Sequence, residues 1–173
     1  MRVLVTGGVR SGKSRHAESL LTGPVTYLAP GPVRDDADWA ARIAAHRARR
    51  PVDWTTVESH DLVGVLARTD GHVMVDCLGT WLTAVLDQGG LWDAAADEIT
   101  DVIERLAHEA ADVLCVRDRS EHTVLVTNEV GLGVVPEHRS GRLFRDLLGL
   151  VNQRIAAACD EVHLVIAGRV IRL

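Results

Sequence analysis

Aromatic side chains are scarce in this chain of 173 residues, at 3% of the total. That scarcity argues against a platform for single-stranded nucleic acid, which stacks successive bases on exposed rings. Positive charge is not in excess either. Lys and Arg number 19 against 24 Asp and Glu, a net charge of -5, whereas general nucleic-acid binders are usually basic. No apolar run approaches the roughly 20 residues of a membrane span. Met1-Arg2 leads straight into an apolar β-branched run, so no secretory leader with a hydrophobic region and cleavage site is expected. The three cysteines, Cys77, Cys115 and Cys159, lie far apart and never in a C-x-x-C pair. They fit the reduced thiols of a cytoplasmic protein better than disulfides or a zinc site. What remains is one domain over residues 1–173, 47% hydrophobic and long enough to bury a real core.

Short β-branched runs alternate with longer amphipathic ones, the pattern of an α/β fold whose mostly parallel central sheet is flanked by helices. Strands are expected near 2–6, 25–29, 72–76, 123–128 and 162–167, with shorter ones near 53–58 and 169–172. Helices are expected near 13–22, 36–49, 60–68, 78–88, 92–117 and 139–159. In open sheets of this kind ligands collect at the carboxyl ends of the strands. The residues just beyond each strand therefore carry most weight: Gly7 to Ser14, Ala29 to Gly31, Asp76, and Asn128-Glu129.

The first strand runs into Gly7-Gly8-Val9-Arg10-Ser11-Gly12-Lys13-Ser14, which matches the P-loop spacing between a strand and a helix. Gly7, Gly8 and Gly12 allow positive φ and a close approach to an anion. Amides of Gly7 through Gly12 would cradle phosphates, Lys13 would reach the β and γ phosphates, and the Ser14 hydroxyl would sit on Mg²⁺. The rival reading is a plain glycine-rich turn. A match at the first strand, in strand–loop–helix context, favours the phosphate site.

His72-Val73-Met74-Val75-Asp76 is an apolar strand ending in a carboxylate, suited to hold Mg²⁺ opposite Ser14, or else to cap the next helix. The stretch Arg42 to Pro51 places His46 in a dense basic cluster, with Arg47, Ala48, Arg49 and Arg50 after it. Read alone, the cations complement a helix C-terminus and His46 is a surface histidine. The sharper reading makes His46 a nucleophile toward phosphorus, kept neutral by neighbouring guanidinium groups that also neutralise the attacked phosphate. Glu58, ending a β-like run, could accept hydrogen bonds from a ribose or guanine, or simply face water. The glycine-rich run 128–136 suits a lid or acceptor-binding loop, or a connector. Leu143, Phe144, Leu147, Leu148, Val151 and Ile155 recur at helical spacing and read as core.

Together these segments resemble the bifunctional adenosylcobinamide kinase/adenosylcobinamide-phosphate guanylyltransferase family of cobalamin biosynthesis. The resemblance spans nearly the whole chain and is carried by VTGGVRSGKSRHAE (5–18), RIAAHRARRP (42–51), WTTVE (54–58), VDCLGTWLT (75–83), NEVGLGVVP (128–136) and FRDLLGLVNQRIA (144–156). It implies phosphorylation of adenosylcobinamide by ATP or GTP, then transfer of GMP from GTP through a guanylylated histidine, here His46. It further implies GTP contacts by the P-loop, by Ala29, Pro30 and Gly31, by Arg47 to Arg50, by Glu58 and by Asp76, with Mg²⁺ at Ser14 and Asp76. A three-layer P-loop NTPase fold related to the RecA group and a cytoplasmic homotrimer come with it. Where the family usually has Thr after Tyr27-Leu28-Ala29, this chain has Pro30-Gly31-Pro32, so contacts there would be mostly through backbone. Leu150 replaces an Arg, and Gly79-Thr80 replace bulkier residues. The alternatives are a P-loop kinase of another small metabolite, a guanylyltransferase without the kinase step, and a nucleotide-binding switch without turnover.

Overall fold

The computed structural model describes residues 1–31, 41, 44 and 47–173. Seven strands form one sheet: β1 (Arg2–Gly7), β2 (Val25–Ala29), β3 (Thr55–Glu58), β4 (His72–Asp76), β5 (Thr123–Val126), β6 (Glu161–Ile166) and β7 (Arg169–Arg172). Their spatial order is β3-β2-β4-β5-β1-β6-β7, parallel throughout except for the antiparallel β6–β7 hairpin. β1 is central and buried along its whole length, as a strand covered on both faces should be.

Alternation along the strands sorts side chains onto two unequal faces. Leu4, Leu28, Val73, Val75 and Leu125 point to the larger core. There they meet α2 (Leu62–Arg68), α3 (Leu78–Gln88), α4 (Ala96–Val116) and α5 (Arg139–Ala158). The opposite face is small. Val3, Val5, Tyr27, Met74, Val124, Val126 and Val165 pack there with Ala17 and Leu21, on and just after α1 (Lys13–Ser19). The stripe expected on α5 is core: Leu143, Leu147, Leu148, Val151 and Ile155 are buried, with Phe144 packed beside them.

All seven expected strands are present, and two helix boundaries differ by three or more residues. The helix expected from 92 begins at Ala96, behind a single 3-10 turn over Leu91–Asp93. Ala94 and Ala95 are extended. Trp92 donates its indole N–H to Asp87 at 2.7 Å, and Arg139 binds the carbonyls of Trp92 and Ala94. Those bonds satisfy the polar groups outside a helix, so the turn stays separate. α1 ends at Ser19, where Leu20 and Leu21 close a tight last turn onto Ala17 and Glu18. Ala41, Ala44, Arg47, Ala48 and Arg49 are helical. The rest of the helix expected over 36–49, including His46, lies outside the described residues. Among the described residues no helix is long and apolar enough to cross a membrane.

β1 is clamped to its neighbour at its amino end. Asp160 accepts the Arg2 backbone N–H at 2.8 Å and its guanidinium at 2.6 Å, while the Asp160 N–H donates to the Arg2 carbonyl at 2.8 Å. The Arg2 side chain and backbone N–H hold the Asp160 carboxyl well below the usual carboxylate range. A depressed carboxylate stabilises the fold above its unfolded pKa, about 4, and loses that contribution as pH falls toward its folded value. Asp160→Asn should therefore cost about 1–2 kcal/mol at pH 7, the range for charge-assisted bonds at a partly exposed pair. Denaturant unfolding at stepped pH should show the gap to the unsubstituted protein narrowing below about pH 4.

Candidate active site at the carboxyl edge of the sheet

β1 delivers the chain to Gly7, where it passes directly against β6. A Cβ at Gly7 would lie 2.4 Å from the Val165 carbonyl and 2.7 Å from Ser11 Oγ, so only glycine fits. The loop then folds on itself: the Ser11 N–H and the Lys13 ammonium both donate to the Gly8 carbonyl, at 3.3 and 3.1 Å. Its outer side is tied to the β6–β7 turn by the Gly168 N–H, which donates to the Ser11 carbonyl at 2.8 Å. Gly12 has φ 98, and Gly8 does not take the positive φ expected of it; Arg10 does, with φ 56. The left-handed step falls at Arg10 because the turn is closed by the Ser11-to-Gly8 bond, which sets the conformation of the residues between them. Val9 projects outward, and Ser14 is partly buried. Lys13 is the only lysine in the sequence and is 7% exposed. The hydroxyls of Thr6 and Ser11 are buried with no hydrogen-bond partner. Buried polar atoms without partners are costly in a finished fold, and both hydroxyls lie on the strand end and loop that lead to Lys13.

β5 lies between β1 and β4, and Asp76 closes β4 at the same edge. Cys77, not Asp76, caps α3, its backbone N–H donating to Thr80 Oγ1 at 3.2 Å. The capping alternative for Asp76 is thereby removed. Its Oδ2 accepts the Tyr27 hydroxyl at 3.0 Å. Burial, and then the Asp76 charge, push the Tyr27 hydroxyl pKa far up, so it stays a donor. The Cys77 thiol is likewise pushed up by burial, which makes it a poor nucleophile.

The basic segment comes down against the same edge. Arg49 pairs with Glu18 on α1 at 3.1 Å, Arg47 with Glu58 at the end of β3, and Arg50 with Thr56 Oγ1 at 2.8 Å. The Arg50 guanidinium also stacks on Tyr27, 3.4 Å from the ring centroid. Arg47, Arg49, Arg50 and Glu58 are thus brought together with the P-loop helix. Ala48 is exposed among them, Ala29 ends β2, and buried Pro30 and Gly31 follow it.

Beyond β5 the glycine-rich run is a pinned loop. The Glu129 N–H donates to the Gly7 carbonyl at 3.1 Å. Arg145 on α5 binds the carbonyls of Gly131 and Gly133, while Leu132, Val134 and Val135 stand exposed.

Mg²⁺ prefers hard oxygen ligands and keeps several waters and substrate phosphates in its shell. The Ser14 hydroxyl and Asp76 carboxylate fit that demand. Among the described residues there is no group of three or more His, Cys, Asp or Glu that could hold a metal ion.

The profile of the cobinamide kinase / cobinamide phosphate guanyltransferase family matches residues 3–173. The chain belongs to that family. One family relative, the bifunctional adenosylcobalamin biosynthesis protein CobU of Salmonella typhimurium strain LT2, is 44% identical over 182 residues, covering 97% of both chains. The CobP protein of Pseudomonas aeruginosa, with the same bifunctional description, is 37% identical and covers 97% of this chain and 94% of its own. Among solved structures, an ATPase of a type III secretion system superposes with a TM-score of 0.54 at 10% identity. It covers 94% of this chain, which spans half (50%) of that one, and so speaks for the P-loop NTPase fold alone.

Two residues that hold this edge in the family member had no individual signal in the sequence. They are Tyr27 and Asn152, which donates to the Asn128 carbonyl at 3.1 Å and accepts from the Thr127 hydroxyl at 2.6 Å. The loop geometry itself gives a direct test. Gly7→Ala should destabilise the protein by about 1–3 kcal/mol, because backbone must move. Gly8→Ala meets nothing within 4 Å and should stay within about 0.5 kcal/mol. Denaturant titration of the two variants side by side checks the contrast.

Proposed function

We propose that this family member phosphorylates the side-arm hydroxyl of adenosylcobinamide with ATP or GTP and then transfers GMP to the new phosphate. The observation that carries the reading is the site around the chain's one lysine, in a sequence that matches a cobinamide kinase / guanyltransferase family along nearly its full length. Lys13 and the amides of Gly7 to Gly12 bind the triphosphate and neutralise charge that builds on the transferring oxygens. Ser14 and Asp76 would hold Mg²⁺, which when bound would offset the charge of the triphosphate. Glu58 and the segment Ala29 to Gly31 face the nucleoside.

In the second reaction a neutral His46 nitrogen attacks the α-phosphorus of GTP. A P–N bond forms, the bond from that phosphorus to the bridging oxygen breaks, and pyrophosphate leaves. The phosphate of cobinamide phosphate then displaces the imidazole, giving adenosylcobinamide-GDP and restoring the histidine. Two displacements replace one difficult step. Arg47, Arg49 and Arg50 supply the positive field that keeps the imidazole neutral and draws in the phosphate. By its family, the chain is read as a cytoplasmic protein and a homotrimer.

Incubation with GTP labelled at the α phosphate should leave an acid-labile label on the protein, and His46→Ala should abolish it. Label surviving in His46→Ala, or absent from the unsubstituted enzyme, would overturn the covalent route. The second case would leave a plain P-loop kinase.

A further inference from the structure

The Tyr27 side chain is only 2% exposed and belongs to the small core beneath α1. A phenylalanine would fill that space equally well. A buried hydroxyl is expensive unless it finds a partner, and this one donates to Asp76 at 3.0 Å. The ring cannot drift. β2 pairs Tyr27 with Met74 on one side and Thr56 on the other. The guanidinium of Arg50 lies over the ring at 3.4 Å while donating to Thr56, the residue in register with it. Trp54 packs nearby, ring centroids 6.3 Å apart. A strand, a core and a stacked cation therefore fix one hydroxyl, and that hydroxyl holds one carboxylate oxygen.

We propose that Tyr27 is a positioning residue, whose hydroxyl orients the Asp76 carboxylate toward the metal of the nucleotide site. The inference deepens the reading of Asp76 as a metal-holding carboxylate and rests on it. Groups that orient a metal-binding side chain through a hydrogen bond commonly change metal affinity by about 10- to 100-fold when removed. Tyr27→Phe deletes the hydroxyl and keeps the ring under Arg50.

The measurement is the affinity for GTP with Mg²⁺ and for GTP in EDTA, by calorimetry, in four proteins: unsubstituted, Tyr27→Phe, Asp76→Asn and the double variant. Tyr27→Phe should lose about tenfold of the Mg²⁺-dependent gain in affinity while its affinity in EDTA stays put. Asp76→Asn should lose the gain, and adding Tyr27→Phe to it should change nothing further. Tyr27→Phe with the full gain, beside an Asp76→Asn that has lost it, overturns the positioning role and leaves the metal assignment standing. An Asp76→Asn that keeps the gain overturns the metal assignment itself.

A second readout needs no substitution at position 27. Tyr27 is the only tyrosine in the chain, so growth on 3-fluorotyrosine labels that position alone. Its fluorine resonance should move further with GTP and Mg²⁺ than with GTP in EDTA, and Asp76→Asn should remove the difference. Identical shifts in both conditions, in protein whose GTP binding Mg²⁺ tightens, overturn the inference.

Discussion

Everything at this edge depends on how closely β1 passes β6. At Gly7 the gap admits no side chain, because the Val165 carbonyl and Ser11 Oγ already occupy the place of a Cβ. The contact fixes where the loop starts, and the Gly168-to-Ser11 bond fixes where it turns back. Lys13 then lies with its ammonium against the Gly8 carbonyl. A preformed backbone cradle costs little reorganisation when an anion arrives. The β6–β7 hairpin thus shapes this loop as much as the glycines do.

The unequal faces of the sheet divide the work. Four helices cover one face with a large aliphatic core, which supplies stability. Among the described residues the other face carries the short α1 and a thin core, and that is where Tyr27 and the basic segment gather. Because Arg49 reaches α1 and Arg47 reaches β3, the basic segment bridges the P-loop helix and the far edge of the sheet. Exposed ion pairs of this kind contribute little to stability; their value lies in placement and in the local field.

Much of the architecture was legible in the residues themselves. Val3-Leu4-Val5, His72 to Asp76 and Thr123 to Val126 read as strands because parallel strands covered on both faces are nearly continuous apolar runs. The loop around Lys13 was legible because its spacing has few other uses. What escaped was set by partners distant in sequence. α4 starts at Ala96 because Asp87 and Arg139 hold the turn before it. The left-handed residue is Arg10, not Gly8, because hydrogen bonds close the loop there. Tyr27 read as one more apolar strand residue. Only the pairing of β2 with β3 and β4 puts it between Arg50 and Asp76.

The central claim is that the triphosphate is gripped by the glycine turn around Lys13. Equilibrium binding of GTP to Lys13→Gln tests it most directly, since the substitution removes the chain's one ammonium side chain and leaves the loop backbone in place. The account predicts affinity lower by about 10- to 100-fold, the equivalent of one or two charge-assisted bonds, with cooperative unfolding retained. A folded Lys13→Gln protein that binds GTP as tightly as the unsubstituted one would contradict it.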